Sequence, residues 1–130
     1  DNVSVIGHFC AASEVARLLA SADALIHAGD QETFGLVVLE AMASGIPVVA
    51  VAAGAFTEIL PRECGLLCTP NNSQAMASAV RELFASNPEG KGQAARQYVN
   101  ARYSWDRVVS GLLEHYQAVL DCRTPALAHG

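Results

Sequence analysis

Ala24-Leu25-Ile26-His27-Ala28, then Gly29-Asp30-Gln31-Glu32-Thr33, then Phe34 to Ser44, Gly45, and Pro47-Val48-Val49-Ala50-Val51: this stretch decides the fold. The first and last blocks read as strands, and the middle reads as a loop followed by a helix. Gly45 just past the helix and Pro47 two residues later form a stop signal. The continuous apolar character of Pro47–Val51 indicates a strand covered on both faces, as in parallel sheets.

Working outward, Val3-Ser4-Val5-Ile6 reads as an earlier strand stopped by Gly7. Ser13 is a candidate cap for a helix to Ser21 that presents Val15, Leu18 and Leu19 on one face. Gly54 opens a short helical stretch over 56–60, and Gly65-Leu66-Leu67-Cys68 is a brief strand closed by Pro70. The rest is helical. Asn72 or Ser73 caps a helix to about Ser86 with Met76, Val80, Leu83 and Phe84 inward, a second runs from near Gly90 to Tyr103, and Ser104 caps a third. In that last helix Val109, Leu112, Leu113, Tyr116, Val119 and Leu120 repeat at helical spacing. Alternating strands and helices joined by a few residues predict an α/β fold, a Rossmann-like parallel sheet with flanking helices. Residues 1–123 are expected to form one domain and 124–130 a flexible tail. In such sheets ligands bind outside the carboxyl ends of the strands, so the Gly7, Gly29–Thr33 and Gly54 loops are expected on one edge.

The bulk properties exclude several classes. The 130 residues are 52% hydrophobic and 16% charged, a composition that supports a buried core. The net charge is −5 and no basic stripe exists, which argues against a nucleic-acid partner. No apolar run is long enough to span a bilayer as a helix, and no signal-peptide pattern opens the chain. A cytoplasmic location follows as the expectation. Cys10, Cys64, Cys68 and Cys122 lack zinc-like spacing and read as free thiols. The start at Asp1, almost directly into a strand, suggests a piece of a longer protein.

The chemistry concentrates between Glu32 and Glu40. Glu40 sits in Leu36-Val37-Val38-Leu39-Glu40-Ala41-Met42-Ala43, a run apolar on every side, which predicts a buried helix carrying a lone carboxylate. The first amides of that helix lack intrahelical partners, and the dipole favours an anion there. Gly35 would let a ligand approach the backbone closely. A carboxylate one to two turns further in suits the two hydroxyl donors of a ribose, and Glu32 on the loop could hold a second sugar. Together these are parts for a nucleotide sugar. The plainer readings are a Glu40 capped by a backbone N–H or paired to an arginine, and a Glu32 that is ordinary helix-start charge. His27 reads as a satisfied core histidine, Phe34 as a packing residue, His115 and His129 as surface, and Trp105 and Tyr116 as anchors of the last helix. Glu58 could cap its own short helix or stand near a donor phosphate.

The block from Glu32 through Phe34-Gly35-Leu36 to Glu40-Ala41-Met42-Ala43-Ser44-Gly45-Ile46-Pro47-Val48-Val49 resembles the family 4 (group 1) glycosyltransferases of GT-B fold. Val5-Ile6-Gly7, Ala22-Asp23-Ala24, Gly54-x3-Glu58-Ile59 and Tyr103-Ser104-Trp105 extend the similarity over roughly residues 3–120. The resemblance implies part of the C-terminal, donor-binding domain of a retaining glycosyltransferase of carbohydrate biosynthesis. Such an enzyme moves a sugar from a UDP- or GDP-linked donor to the hydroxyl of a carbohydrate or lipid-linked acceptor. It implies Glu40 on the ribose and Glu32 as the catalytic-site carboxylate near the donor sugar. The amides of Phe34 and Gly35 would face the sugar and those of Leu36 and Val37 the diphosphate, with His8 and Phe9 near the base. It implies no metal and no cofactor. Ala28-Gly29 stand where the family often has Pro-Ser. The family's phosphate-neutralising Arg and Lys, and its N-terminal acceptor domain, belong to regions this chain lacks, so the piece alone is expected to be inactive. The parent's expected location extends to the inner membrane face. Rival readings are a GT-B-shaped nucleotide-sugar epimerase or phosphorylase, and a non-enzymatic α/β domain.

Overall fold

The computed structural model describes residues 2–7 and 11–123. Its elements are α1 (Ala12–Ala20), β1 (Leu25–His27), α2 (Leu36–Ala43), β2 (Val48–Val51), α3 (Phe56–Ile59), β3 (Gly65–Cys68), α4 (Ser73–Ala85), α5 (Pro88–Tyr103) and α6 (Trp105–Arg123). The three strands form one parallel sheet in the order β1-β2-β3, with Leu25 opposite Val48 and Val48 opposite Gly65. This is the expected α/β architecture. All four residues of β2 are buried, as its unbroken apolar character predicts for the central strand.

The core joins β2 to Val38, Leu39, Ala41 and Met42 of α2, Phe56 and Ile59 of α3, Ala79 and Leu83 of α4, and Ala95 and Val99 of α5. Asn72 caps α4 by accepting from the Ala75 N–H at 2.9 Å, and Asn87 caps α5 by accepting from the Gly90 N–H at 2.9 Å. Each cap satisfies one donor that a helix start leaves without an intrahelical partner. Cys64 and Cys68 are buried free thiols, and burial pushes the Cys64 thiol up to about 11.

Several expectations change. Residues 3–6 form no strand. Val3 and Val5 are largely exposed, because a strand persists only in a ladder and no neighbour pairs with this segment among the described residues. The cap of α1 is Ala11 rather than Ser13. Its N–H donates to the Glu14 carboxylate at 3.3 Å, so the acid inside the first turn does the capping. Leu18 and Phe84 are partly exposed, at 37% and 50%, and on α4 Ala79 joins the expected Leu83 in the core. Trp105 does not anchor α6: it is 82% exposed, and Val109, Leu112, Leu113, Tyr116 and Val119 are exposed with it. His8, Phe9, Cys10, His129 and the expected tail at 124–130 lie outside the described residues.

Candidate functional site

The loops after the three strands meet at one edge of the sheet, as expected of the Gly29–Thr33 and Gly54 loops. The Asn71 side chain after β3 donates to the Asp30 carboxylate after β1 at 3.3 Å. The Ala55 N–H after β2 donates to the Glu32 carbonyl oxygen at 3.3 Å. The residues that would follow Gly7 in the remaining loop lie outside the described residues.

Glu32 is held at both ends. While its carbonyl accepts from Ala55, its carboxylate oxygen Oε1 accepts from the Gly35 N–H at 3.2 Å and from the Phe34 N–H at 3.5 Å. Those two amides, the first above all, hold the Glu32 carboxyl below the usual carboxylate range. Desolvation opposes them without cancelling the effect. The amides expected to face a sugar are thus turned toward an anion, and the anion is the chain's own. His27 itself is satisfied: its Nδ1 accepts from the Gly29 N–H at 3.2 Å, and its ring meets the Phe56 ring edge-on with centroids 4.8 Å apart.

Gly35 is the N-cap of α2 with φ 79°, a conformation that favours glycine. A side chain there would collide with Ile59 Cδ1 at 2.7 Å and crowd the Phe56 ring at 3.1 Å. The missing Cβ therefore serves the packing of α2 on α3, where ligand approach was the expectation. The Gly35 carbonyl accepts from the Val38 and Leu39 N–H groups at 3.0 and 3.1 Å. Among the described residues the amides of Leu36 and Val37 have no hydrogen-bond partner. They are the open donors of this helix start.

Glu40 corrects the reading of α2. The helix is not buried all round, and Glu40 is exposed. Leu36, Glu40 and Ala43, at i, i+4 and i+7, form one exposed stripe, while Val38, Leu39, Ala41 and Met42 enter the core. The apolar stretch misleads because its outer face is apolar too: Leu36 is 62% exposed. The Glu40 carboxylate has neither an arginine nor a backbone N–H as partner among the described residues. Both plainer readings of it are thereby removed. It stands between two grooves. One, of about 460 Å³, is walled by Phe34, Leu36, Leu39, Tyr103 and Trp105. The other lies against α1 at Ala12, Val15 and Ala16. Glu58 is exposed and makes no side-chain capping bond in α3. Phe34 is about half exposed, so it is not a core packing residue. His115 is exposed, its Nδ1 bonded to the Gly111 carbonyl oxygen at 2.7 Å.

Glu32, Phe34 and Gly35 are therefore brought into one hydrogen-bonded cluster, the open amides of Leu36 and Val37 follow directly, and Glu40 lies about 6 Å further along the helix by its rise per residue. Sequence reasoning missed the return of the Glu32 carboxylate onto its own loop and the clasp from Ala55. Among the described residues no group of three or more metal-ligating side chains forms, and no helix is long and apolar enough to cross a membrane.

A three-stranded parallel sheet thus gathers its loops on one edge, beside a helix start that carries open amides and two acids. The family described as glycosyl transferases group 1 matches residues 1–86, and the chain belongs to that family. It is 41% identical over 112 residues to a GDP-mannose-dependent alpha-mannosyltransferase of Mycolicibacterium smegmatis, covering 85% of this chain and 29% of that protein. Among solved structures it is similar to the sucrose-phosphate synthase of Thermosynechococcus elongatus, with TM-score 0.74 and 29% identity over 84% of this chain and 28% of that one. It is also similar to Anabaena HepE in complex with UDP-glucose, with TM-score 0.73 and 27% identity over 81% of this chain and 30% of that one. The chain thus spans under a third of the length of these proteins, and its sheet matches part of a GT-B glycosyltransferase.

Proposed function

We propose that residues 1–123 supply the donor site of a retaining glycosyltransferase that moves a hexosyl group from a nucleoside-diphosphate sugar to an acceptor hydroxyl. The observation that carries this reading is the pairing of an unpartnered Glu40 carboxylate with open amides at the start of the same helix. An accessible carboxylate can accept both hydroxyls of a ribose, and bonds to a charged group contribute roughly 1.5–3 kcal/mol each. The Leu36 and Val37 amides, at the positive end of α2, suit the diphosphate. Glu32 faces the donor sugar as the catalytic-site carboxylate, and the Phe34 and Gly35 amides that now hold it become available to the sugar when it turns outward. The sugar–diphosphate bond breaks as the acceptor oxygen bonds to the same carbon, the hydroxyl proton passes to the departing diphosphate oxygen, and the amides stabilise the charge that develops there.

The reading assigns no metal or cofactor to the site. The acceptor, carbohydrate or lipid-linked, belongs to a further domain of the parent, whose place is the cytoplasm or the inner membrane face. The isolated chain is inactive and binds donor weakly, because its −5 charge opposes a diphosphate. The M. smegmatis mannosyltransferase and HepE leave both a GDP- and a UDP-linked donor in play. Calorimetry with UDP- and GDP-sugars on the parent protein, repeated with Glu40→Ala, tests the assignment. Affinity falls by about tenfold or more when the ribose bonds are lost. Unchanged affinity in a folded variant removes the ribose role, and submicromolar binding by the isolated chain contradicts the need for the rest of the parent.

A further inference from the structure

Gly54 follows β2 with φ 53°, in the left-handed region. Its setting is unusual in one respect. The three nearest atoms that a Cβ there would meet are the carbonyl oxygen, the carbonyl carbon and the amide nitrogen of Glu32, and the oxygen would be overlapped outright. The next residue, Ala55, donates its N–H to that same oxygen. Gly54 and Ala55 therefore grip the backbone of one residue, 22 positions earlier, that carries the acid of the site. The usual expectation for a glycine beside a phosphate-binding edge is that it makes room for ligand. Here the room is already filled by the chain.

We propose that Gly54 is a positioning residue for Glu32: its bare Cα lets the β2–α3 loop seat against the Glu32 carbonyl and so fixes the direction in which the carboxylate can turn. The proposal rests on the donor-site reading of Glu32. A side chain at 54 would push the Glu32 carbonyl off the Ala55 N–H and rotate the peptide that sets the carboxylate's course. The carboxylate hangs on the amides of Phe34 and Gly35, two and three residues on, so a rotation at its own backbone pulls it off them. The open Leu36 and Val37 amides belong to α2, which is anchored separately by its buried face, and they stay in place. The displacement is thus confined to the acid.

The test uses the full-length protein that carries this chain, with transfer from the UDP- or GDP-sugar that it accepts and binding of UDP or GDP alone. Gly54→Ala is expected to lower kcat by about a hundredfold, the scale of a misplacement near 1 Å. The Kd for the nucleoside diphosphate stays within about twofold, because the phosphate amides are not disturbed. Made on top of Glu32→Gln, the same change costs less than about twofold more, since the group it positions is already disabled. Gly54→Asn is the companion variant. Asparagine tolerates the left-handed region yet carries the Cβ, so it keeps the backbone conformation, stays folded, and still produces the defect. An equal loss from Gly54→Ala in both backgrounds overturns the assignment. So does a fall in nucleotide affinity that matches the fall in kcat, which would mean that Gly54 touches the phosphates itself. A wild-type protein that binds neither UDP nor GDP defeats the donor-site reading instead, and the positioning role falls with it.

Discussion

The Gly35 N–H donates to the Glu32 carboxylate at 3.2 Å, so an acid three residues upstream occupies the approach to its own helix. Hydrogen bonds to the charged form favour that form, which is why the Glu32 carboxyl lies below its usual range. A carboxyl with a depressed folded-state value binds fewer protons in the folded chain than in the unfolded one. Its contribution is complete above the unfolded value, about 4.3, and is lost as pH falls through the lower folded value. The amide proton resonance of Gly35 should therefore titrate with a midpoint below that of an ordinary glutamate. In Glu32→Ala the titration should vanish. A midpoint at or above 4.3 would mean that the contact does not persist in solution.

The one-sidedness of α2 makes a pair of substitutions informative. Met42 is fully buried and Glu40 is exposed on the same helix. Met42→Ala should cost about 2–5 kcal/mol in urea unfolding. Glu40→Ala should stay within about 0.5 kcal/mol, because the side chain has no partner to lose. A large loss on removing Glu40 would mean that its carboxylate supports the fold, contrary to the open site described above.

Phe56 couples the core to the loop edge. It is fully buried, meets the His27 ring at 4.8 Å and limits the space at Gly35. Phe56→Ala should destabilise the chain by about 3–5 kcal/mol. It should also shift the Gly29 and Gly35 amide resonances in the folded fraction. A stability loss with both resonances unmoved would separate this ring from the loop it is argued to brace.

α6 carries an exposed apolar face. Leu112, Tyr116 and Val119 repeat at helical spacing and each is about half exposed or more. A contiguous apolar face of this kind promotes association. Changing all three to lysine should weaken concentration-dependent self-association in sedimentation velocity, with little change in the unfolding midpoint. Sedimentation that remains the same would show that the face does not drive contacts between copies.

Much of the fold was legible. Val48-Val49-Ala50-Val51 is an unbroken β-rich run, and it became the buried central strand because nothing polar could survive between two layers. Asn72 announced its helix by side-chain chemistry that acts within three residues. Asn87 caps α5 in the same way, but the helix was expected only from near Gly90, and it begins at Pro88. Val3–Ile6 failed because strand character expresses only a capacity to pair, and pairing depends on what lies alongside. Glu40 failed for a related reason: hydropathy says what a residue would do beside a partner, and the outer stripe of α2 has none among the described residues. In the site, the nearness of the two acids to the first amides of α2 was readable from spacing, but the turn of the Glu32 carboxylate onto the Phe34 and Gly35 amides was not. Nor was the clasp between Ala55 and Glu32, because it joins residues far apart in sequence and involves only backbone atoms, which leave no mark in side-chain composition.

That clasp has a bearing on engineering. The connection after β1 and the connection after β2 share a hydrogen bond and a surface without intervening side chains, so neither can be swapped for a relative's version by itself. Loop-exchange libraries aimed at a new donor sugar should move segments 28–35 and 52–55 together, as one graft. Chimaeras that transfer either alone should lose turnover even where every side chain facing the sugar has been copied faithfully.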